Sequence, residues 1–274
     1  MRTASPTLPL VKILFIGDVV GKPGRSAIAA LVPKLRRERD IDFVIANGEN
    51  SAHGAGLTAS TVSALLDAGV DVITSGDHTW DQKGFEQEID ALPRVLRPLN
   101  FPPSAPGRGS TTVNVDDKHV VGVMNIIGRV FLPNNDDPFR AAQAEVAKLR
   151  KKTSVIIVDL HAEATSEKIA MGRFLDGQVS AVIGTHTHVA TADEQILPKG
   201  TAYISDVGMC GPHDSVLGRE VDAVLKRFLT QMPQKMEVAT GKVELCGAII
   251  DVDEDSGHAR AIERIRVPYA NNSE

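Results

Sequence analysis

The hydrophobic pattern of this chain is a succession of short apolar runs, each closed by glycine, aspartate, asparagine or histidine. Val11 to Ile16, Phe43 to Ala46, Val70 to Thr74, Val155 to Val158, Ala181 to Gly184 and Tyr203 to Ser205 read as strands. Most lack polar alternation, as strands covered on both faces do. Ala27, Ile28, Leu31 and Leu35 recur at helical spacing and predict a helix over Arg25 to Arg39, entered through a turn at Gly21-Lys22-Pro23-Gly24. Ser60 to Ala68 predicts another. Strand-to-helix units in succession predict a parallel sheet with right-handed crossovers.

From Arg97 to Asp137 the pattern breaks at Pro98, Pro102, Pro103, Pro106 and Gly109, resumes as a strand over His119 to Ile127, and breaks again at Pro133 to Pro138. Loops of this length are often binding loops. Phe139 to Leu149 predicts an amphipathic helix. Glu163 to Phe174 predicts one opening near Thr165-Ser166, whose hydroxyls suit an N-cap. Val221 to Leu229 predicts a last helix, and Lys242 to Val252 with Ala259 to Val267 an antiparallel hairpin turning at Asp253 to Gly257. With no repeat or linker in view, the expected organisation is an N-terminal tail over residues 1–10 and a single domain over residues 11–274.

Composition narrows the classes. The 274 residues are 42% hydrophobic with a net charge of −5. That fits a globular chain and argues against a nucleic-acid polymer as partner. No apolar run approaches the roughly 20 residues that span a bilayer, so no membrane partner is expected. Met1 to Pro9 lacks a hydrophobic signal core, and 2 cysteines are too few for a disulfide framework. The expectation is a cytoplasmic protein. A homo-oligomer stays open.

The chemistry sits where strands end. Asp18, Glu49 with Asn50, Asp77 with His78, His161, and His186 with His188 all follow apolar runs. In open α/β sheets that edge is where ligands bind. Singly, each has an ordinary explanation: Asp18 as a turn residue, Glu49 and Asn50 as solvated turn residues, His161 as a satisfied buried histidine. His186 and His188 are harder to explain so, because two imidazoles after an apolar strand make poor packing. Together the set offers carboxylate oxygen and imidazole nitrogen without thiolate, which suits iron, manganese, zinc or cobalt. It exceeds what one ion needs. Two ions about 3.5–4 Å apart, sharing a carboxylate and a bridging hydroxide, would use it and would hydrolyse a phosphoester.

The order Asp18, Glu49-Asn50, Gly76-Asp77-His78, His161 and His186-Thr187-His188 resembles the calcineurin-like metallophosphoesterase superfamily. Gly17-Asp18-Val19-Val20-Gly21-Lys22-Pro23-Gly24-Arg25, Asn47-Gly48-Glu49-Asn50, His161 through Lys168, Gly184 through His188 and Ser205 through Met209 are similar to its YmdB-like branch. The resemblance implies a four-layer α/β/β/α sandwich, two metal ions with iron or manganese ahead of zinc, and phosphodiesterase activity on small cyclic nucleotides, foremost 2′,3′-cyclic AMP. It implies that Asp18, Asn50 and His188 bind one ion, that Glu49 bridges, that Asp77, His161 and His186 hold the other, and that His78 donates a proton. Val20 stands where the wider superfamily has histidine, in keeping with the YmdB-like branch. Asp77 replaces the usual asparagine and is expected to bind its ion more tightly and weaken it as a Lewis acid.

Two other readings keep the centre: a metal-dependent phosphomonoesterase or phosphoprotein phosphatase, and a metal-containing regulatory module with weak hydrolysis. His78 favours catalysis, since a scaffold needs no proton donor. Among lesser candidates, Arg129 is either a phosphate ligand or a surface arginine. Cys210 is a loop thiol near the site or a buried one, and Trp80 either fixes the His78 ring or packs in the core. Gly21 to Gly24 fails the spacing of phosphate-binding loops and reads as a turn that keeps backbone clear of the site.

Overall fold

The computed structural model describes residues 10–116, 119–133 and 135–270. The expected tail lies outside them except for Leu10, which begins the first strand. In order come β1 (Leu10–Ile16), β2 (Asp18–Val19), α1 (Gly21–Arg39), β3 (Phe43–Asn47), α2 (Ala59–Asp67), β4 (Val72–Thr74), α3 (Phe85–Glu88), β5 (Ser110–Asn114) and β6 (Val120–Ile127). The second half contains α4 (Pro138–Leu149), β7 (Val155–His161), α5 (Thr165–Leu175), β8 (Ala181–Thr185), β9 (Gln195–Ile196), β10 (Ala202–Ile204), β11 (Met209–Pro212), α6 (Val221–Thr230), β12 (Val243–Asp253) and β13 (Ala259–Tyr269).

Two sheets result. One runs β2-β11-β12-β1-β3-β4, with β13 on the other edge of β12. Within it β1, β3 and β4 are parallel, as the crossover units require. The other runs β5-β6-β7-β8-β10-β9, with the four middle strands parallel and an antiparallel strand at each edge.

Alternation along each strand builds the layers, because successive side chains point to opposite faces. Ile13 and Phe15 of β1 meet Phe43 and Ile45 of β3, then Val123, Ile157 and Ile183 of the facing sheet. Leu14, Ile16 and Val44 point the other way, onto Ile28 and Val32 of α1 and Leu65 of α2. Met124, Ile156 and Val158 pack likewise on Val146 of α4 and Met171 of α5. Helices, sheet, sheet, helices: the α/β/β/α sandwich is present.

Several expectations are corrected. Gly21 to Gly24 is the first turn of α1, which therefore starts four residues before Arg25. A Cβ on Gly24 would fall 2.3 Å from the carbonyl oxygen of Cys210, so glycine there lets α1 close onto β11. Cys210 lies within β11, fully buried, its thiol 3.5 Å from Gly24 O. Thr165 and Ser166 do not cap α5: the N-cap is Ala164, and no side chain bonds there. The proline-broken region holds β5, an edge strand too polar to show as an apolar run. Asn134, in the expected loop over Pro133 to Pro138, lies outside the described residues.

Candidate metal centre

The carboxyl ends of parallel strands from both sheets meet at one place. β1 leads to Asp18, β3 to Glu49 and Asn50, and β4 to Asp77 and His78. From the other sheet β7 ends on His161 and β8 leads to His186 and His188. One ligand atom each from Glu49, Asp77, His161 and His186 lies within 4.8 Å of all the others. His161 Nε2 stands 3.2 Å from Glu49 Oε1, 3.0 Å from Asp77 Oδ1 and 3.0 Å from His186 Nδ1. Ligands about 2.1 Å from one cation at right angles would sit about 3 Å apart. Beside them, His188 Nε2 lies 3.2 Å from Asn50 Nδ2 and 3.7 Å from Asp18 Oδ1.

The electrostatics call for a cation. Asp18, Glu49 and His161 are buried, and Asp18 Oδ1 has no hydrogen-bond partner. An orphaned buried carboxylate oxygen carries a penalty that a metal removes. Burial pushes the Asp18 carboxyl up, against the pull of His188 and His161. Burial also opposes charge on His161, yet Glu49, Asp77 and Asp18 raise it well above its ordinary value. The carboxylates thus draw a proton onto the imidazole, and a bound cation would take that proton's place. The donor set fits a hard-to-borderline ion.

Outer contacts fix the rings. His161 Nδ1 donates to Thr185 Oγ1 at 3.0 Å, which donates to Asp159 Oδ1 at 2.6 Å. That leaves Nε2 facing the centre. Asp159 also accepts from Asn47 and Thr74, and burial pushes its carboxyl up to about 6. His188 Nδ1 donates to Leu217 O at 3.1 Å, freeing Nε2 toward Asn50 and Asp18. Glu163 Oε2 stands 3.1 Å from His186 Nε2. Its signature in the sequence, a carboxylate two residues past His161, lies within the motif quoted above but carried no role there.

The segment bearing His186 and His188 is strained. Their φ angles are 100° and 64°, in the left-handed region that side chains disfavour. The buried Lys168 holds it, donating through Nζ to Thr185 O at 2.8 Å and to Asp206 Oδ2 at 2.8 Å. Asp206 also accepts from Thr187 N at 3.0 Å and Thr187 Oγ1 at 2.9 Å.

His78 stands at the mouth, in a cleft of about 310 Å³ shared with Glu49, Asn50, Glu163, His186 and His188. Its Nδ1 is 2.8 Å from Asp81 Oδ2, and its backbone N–H donates to Glu49 Oε2 at 3.3 Å. Burial works against the imidazolium, but Glu49, Asp77 and the bond to Asp81 raise it above its usual value. Asp81 was not singled out from the sequence, although its i, i+3 spacing from His78 permits the contact. Arg219, also missed, lines the cleft and donates to Met236 O at 3.0 Å and to Gly54 O, bracing the wall. Arg129 pairs with Asp137 at 3.3 Å on the exposed side of α4. Trp80 packs partly against the core and meets Phe101, their ring centroids 6.2 Å apart.

Gly76 makes the convergence sterically possible. A Cβ there would lie 2.2 Å from His161 Cδ2 and 2.3 Å from Glu49 Oε2. Gly76→Ala is expected to cost about 1–3 kcal/mol through overpacking and to reduce bound metal. Elemental analysis beside thermal denaturation checks both, and a variant with parental metal content would contradict this geometry.

Among the described residues a second convergence joins His213, Glu244 and Cys246. Its carboxylate already holds Lys242 Nζ at 2.7 Å and Arg266, so its charge is neutralised.

Known proteins resemble this chain over nearly its whole length. A 2′,3′-cyclic-nucleotide 2′-phosphodiesterase of Bacillus subtilis is 51% identical over 257 residues, 94% of this chain and 97% of that protein. A crystal structure described as a novel phosphatase of Mycoplasma pneumoniae superposes with TM-score 0.89 at 37% identity, covering 96% of this chain and 95% of that one. A hypothetical protein of Thermus thermophilus gives 0.88 at 40% identity, covering 95% of this chain and 100% of that one. The family model described as YmdB-like protein matches residues 14–265, a span that runs from β1 into β13 and takes in every candidate ligand from Asp18 to His188. The chain therefore belongs to the YmdB-like family.

Proposed function

We propose that this protein is a two-metal phosphodiesterase that opens small cyclic nucleotides, with 2′,3′-cyclic AMP the leading substrate, and that residues 11–274 act as one domain. The observation carrying this reading is the convergence of Glu49, Asp77, His161 and His186 within 4.8 Å, with Asp18, Asn50 and His188 beside them. Asp18, Asn50 and His188 are assigned to one ion, Asp77, His161 and His186 to the other, and Glu49 to both. Bound cations would supply a water acidified toward neutral pH and would neutralise charge on the phosphoryl oxygens.

The chain's own groups do the rest. Opening a cyclic phosphate expels a ribose alkoxide, which needs a proton as it leaves. His78 supplies it from Nε2, because Nδ1 is committed to Asp81. Against the effect of burial, the Glu49 and Asp77 carboxylates raise the imidazole above its usual value and so favour the protonated ring. Thr185 holds His161 in the tautomer that presents Nε2 to the centre.

Asp81 is a positioning residue. Asp81→Asn removes an influence that raises His78, so the proton leaves the ring at lower pH. The alkaline limb of the kcat profile is expected to shift to lower pH, with kcat affected more than KM. An unchanged profile would separate Asp81 from the proton donor.

The function is tested by turnover of 2′,3′- and 3′,5′-cyclic nucleotides by protein loaded with manganese or iron, with elemental analysis alongside. Metal-dependent opening of the 2′,3′-cyclic substrates is expected. Turnover of phosphomonoesters alone, or of nothing under any loading, would overturn the reading.

A further inference from the structure

A second hollow, of about 400 Å³, is lined by Asp77 of the convergent set. Trp80, Phe101 and Ile127 form its apolar walls, and Ser104 and Asn135 bring polar groups to it. This volume falls within the range of small-molecule sites, about 300–1,000 Å³. Nothing in the chemistry of the metal ligands requires it.

The hollow is built, although its wall is a proline-broken loop. Buried Arg97 spends its guanidinium on that loop alone. Nε donates to Pro106 O at 3.2 Å, Nη1 to Pro98 O at 2.7 Å and Leu99 O at 3.2 Å, and Nη2 to Ala105 O at 3.2 Å. Buried Asn100 ties the same loop to the end of β6, donating to Ile127 O at 2.8 Å and accepting from Ile127 N at 3.0 Å. It also donates to Asp136 O at 3.0 Å, which joins the loop carrying Asn135 to the opposite wall. A buried arginine and a buried asparagine with donors spent on loop carbonyls pre-organise the shape, and pre-organisation is what a binding surface needs to avoid ordering costs.

Both aromatic side chains line the hollow. Trp80 and Phe101 are tilted by 38° with centroids 6.2 Å apart, so they do not stack face to face on each other. Aromatic side chains near a nucleotide's phosphate site commonly take a base on their faces. The Ser104 hydroxyl and the Asn135 carboxamide can hydrogen-bond a base edge. Asn135 Nδ2 donates to Pro133 O at 2.9 Å, which fixes the amide's orientation.

We propose that this hollow is the nucleobase subsite of the enzyme. Resting on the phosphodiesterase reading above, the assignment places the base of a nucleoside cyclic phosphate against the apolar wall that Trp80 and Phe101 form together, with its phosphorus over the metal centre. One sugar ring joins base and phosphate in such a substrate, and Asp77 both lines the hollow and belongs to the convergent set. Purines, with the larger stacking face, are preferred over pyrimidines.

The chain has 1 tryptophan and 2 tyrosines, so emission excited at the red edge, where only tryptophan absorbs, reports on this wall. Metal-loaded protein is titrated with adenosine, with adenosine 3′-monophosphate and with inorganic phosphate, and KM is measured for 2′,3′-cyclic AMP and 2′,3′-cyclic CMP. Adenosine and its monophosphate are expected to change the Trp80 emission, and phosphate to leave it unchanged. Phe101→Ala is expected to weaken adenosine binding and raise the KM for 2′,3′-cyclic AMP on the order of tenfold to a hundredfold, with kcat little altered. Should Phe101→Ala misfold, Ser104→Ala at the exposed rim is expected to narrow the difference between the two KM values. A fluorescence response without hydrolysis of any cyclic nucleotide supports the subsite while removing the phosphodiesterase reading. Hydrolysis with silent fluorescence and parental KM in the variants overturns the subsite and leaves the phosphodiesterase standing. Neither response overturns both.

Discussion

Replacing His78 with alanine is expected to lower kcat for a cyclic nucleotide about a hundredfold to ten-thousandfold, the usual worth of a positioned general acid, with metal content unchanged. The ring is outside the set of atoms that converge within 4.8 Å. Its backbone N–H, which donates to Glu49 at 3.3 Å, survives the substitution. The expected loss depends on the leaving group. A ribose alkoxide needs its proton in the transition state, whereas nitrophenolate departs without one. His78→Ala is therefore expected to impair bis-p-nitrophenyl phosphate turnover far less than cyclic nucleotide turnover. Equal losses on both substrates, together with lost metal, would make His78 a ligand and refute its role as donor.

The second large effect is on stability. Lys168→Met is expected to destabilise the protein by about 3–5 kcal/mol, because removing one partner of a buried ion pair leaves the other charge uncompensated. Both side chains are almost completely buried, at 2% and 1% exposure. Asp206 would keep its bonds from Thr187 and from Gly208 N at 2.8 Å, but it would lose the ammonium that opposes its charge. Lys168 also holds the carbonyl of Thr185, so the strained backbone at His186 and His188 loses its anchor. Urea denaturation of metal-free parent and variant gives the difference in stability, and metal titration gives the loss at the site. A change below about 1 kcal/mol, the scale of exposed pairs, would show that the buried pair is dispensable.

The donors were legible in the sequence because strands covered on both faces are nearly all apolar, so the polar residue at each end stands out. Asp18, Glu49, Asp77, His161, His186 and His188 are all of this kind. The supporting groups were not legible. Glu163 and Asp81 lie in short irregular segments, where no periodicity says which way a side chain turns. Lys168 sits on a helix at a position that reads as solvated, and its partner Asp206 is 38 residues away. The edge strands β5 and β9 were missed because exposure lets polar residues into them. Thr165 looked like a cap because hydroxyls favour helix starts, but it lies one residue inside α5.

The donors are divided between the sheets: Asp18, Glu49, Asn50 and Asp77 follow strands of one, His161, His186 and His188 those of the other. Cations held there would rivet the two halves together at their open seam. No fragment carrying one half could retain them, and a chain emerging during synthesis would have to pass His188 before it could load. Metal uptake would then follow the meeting of the two sheets, and stripping the ions would be felt first along that seam.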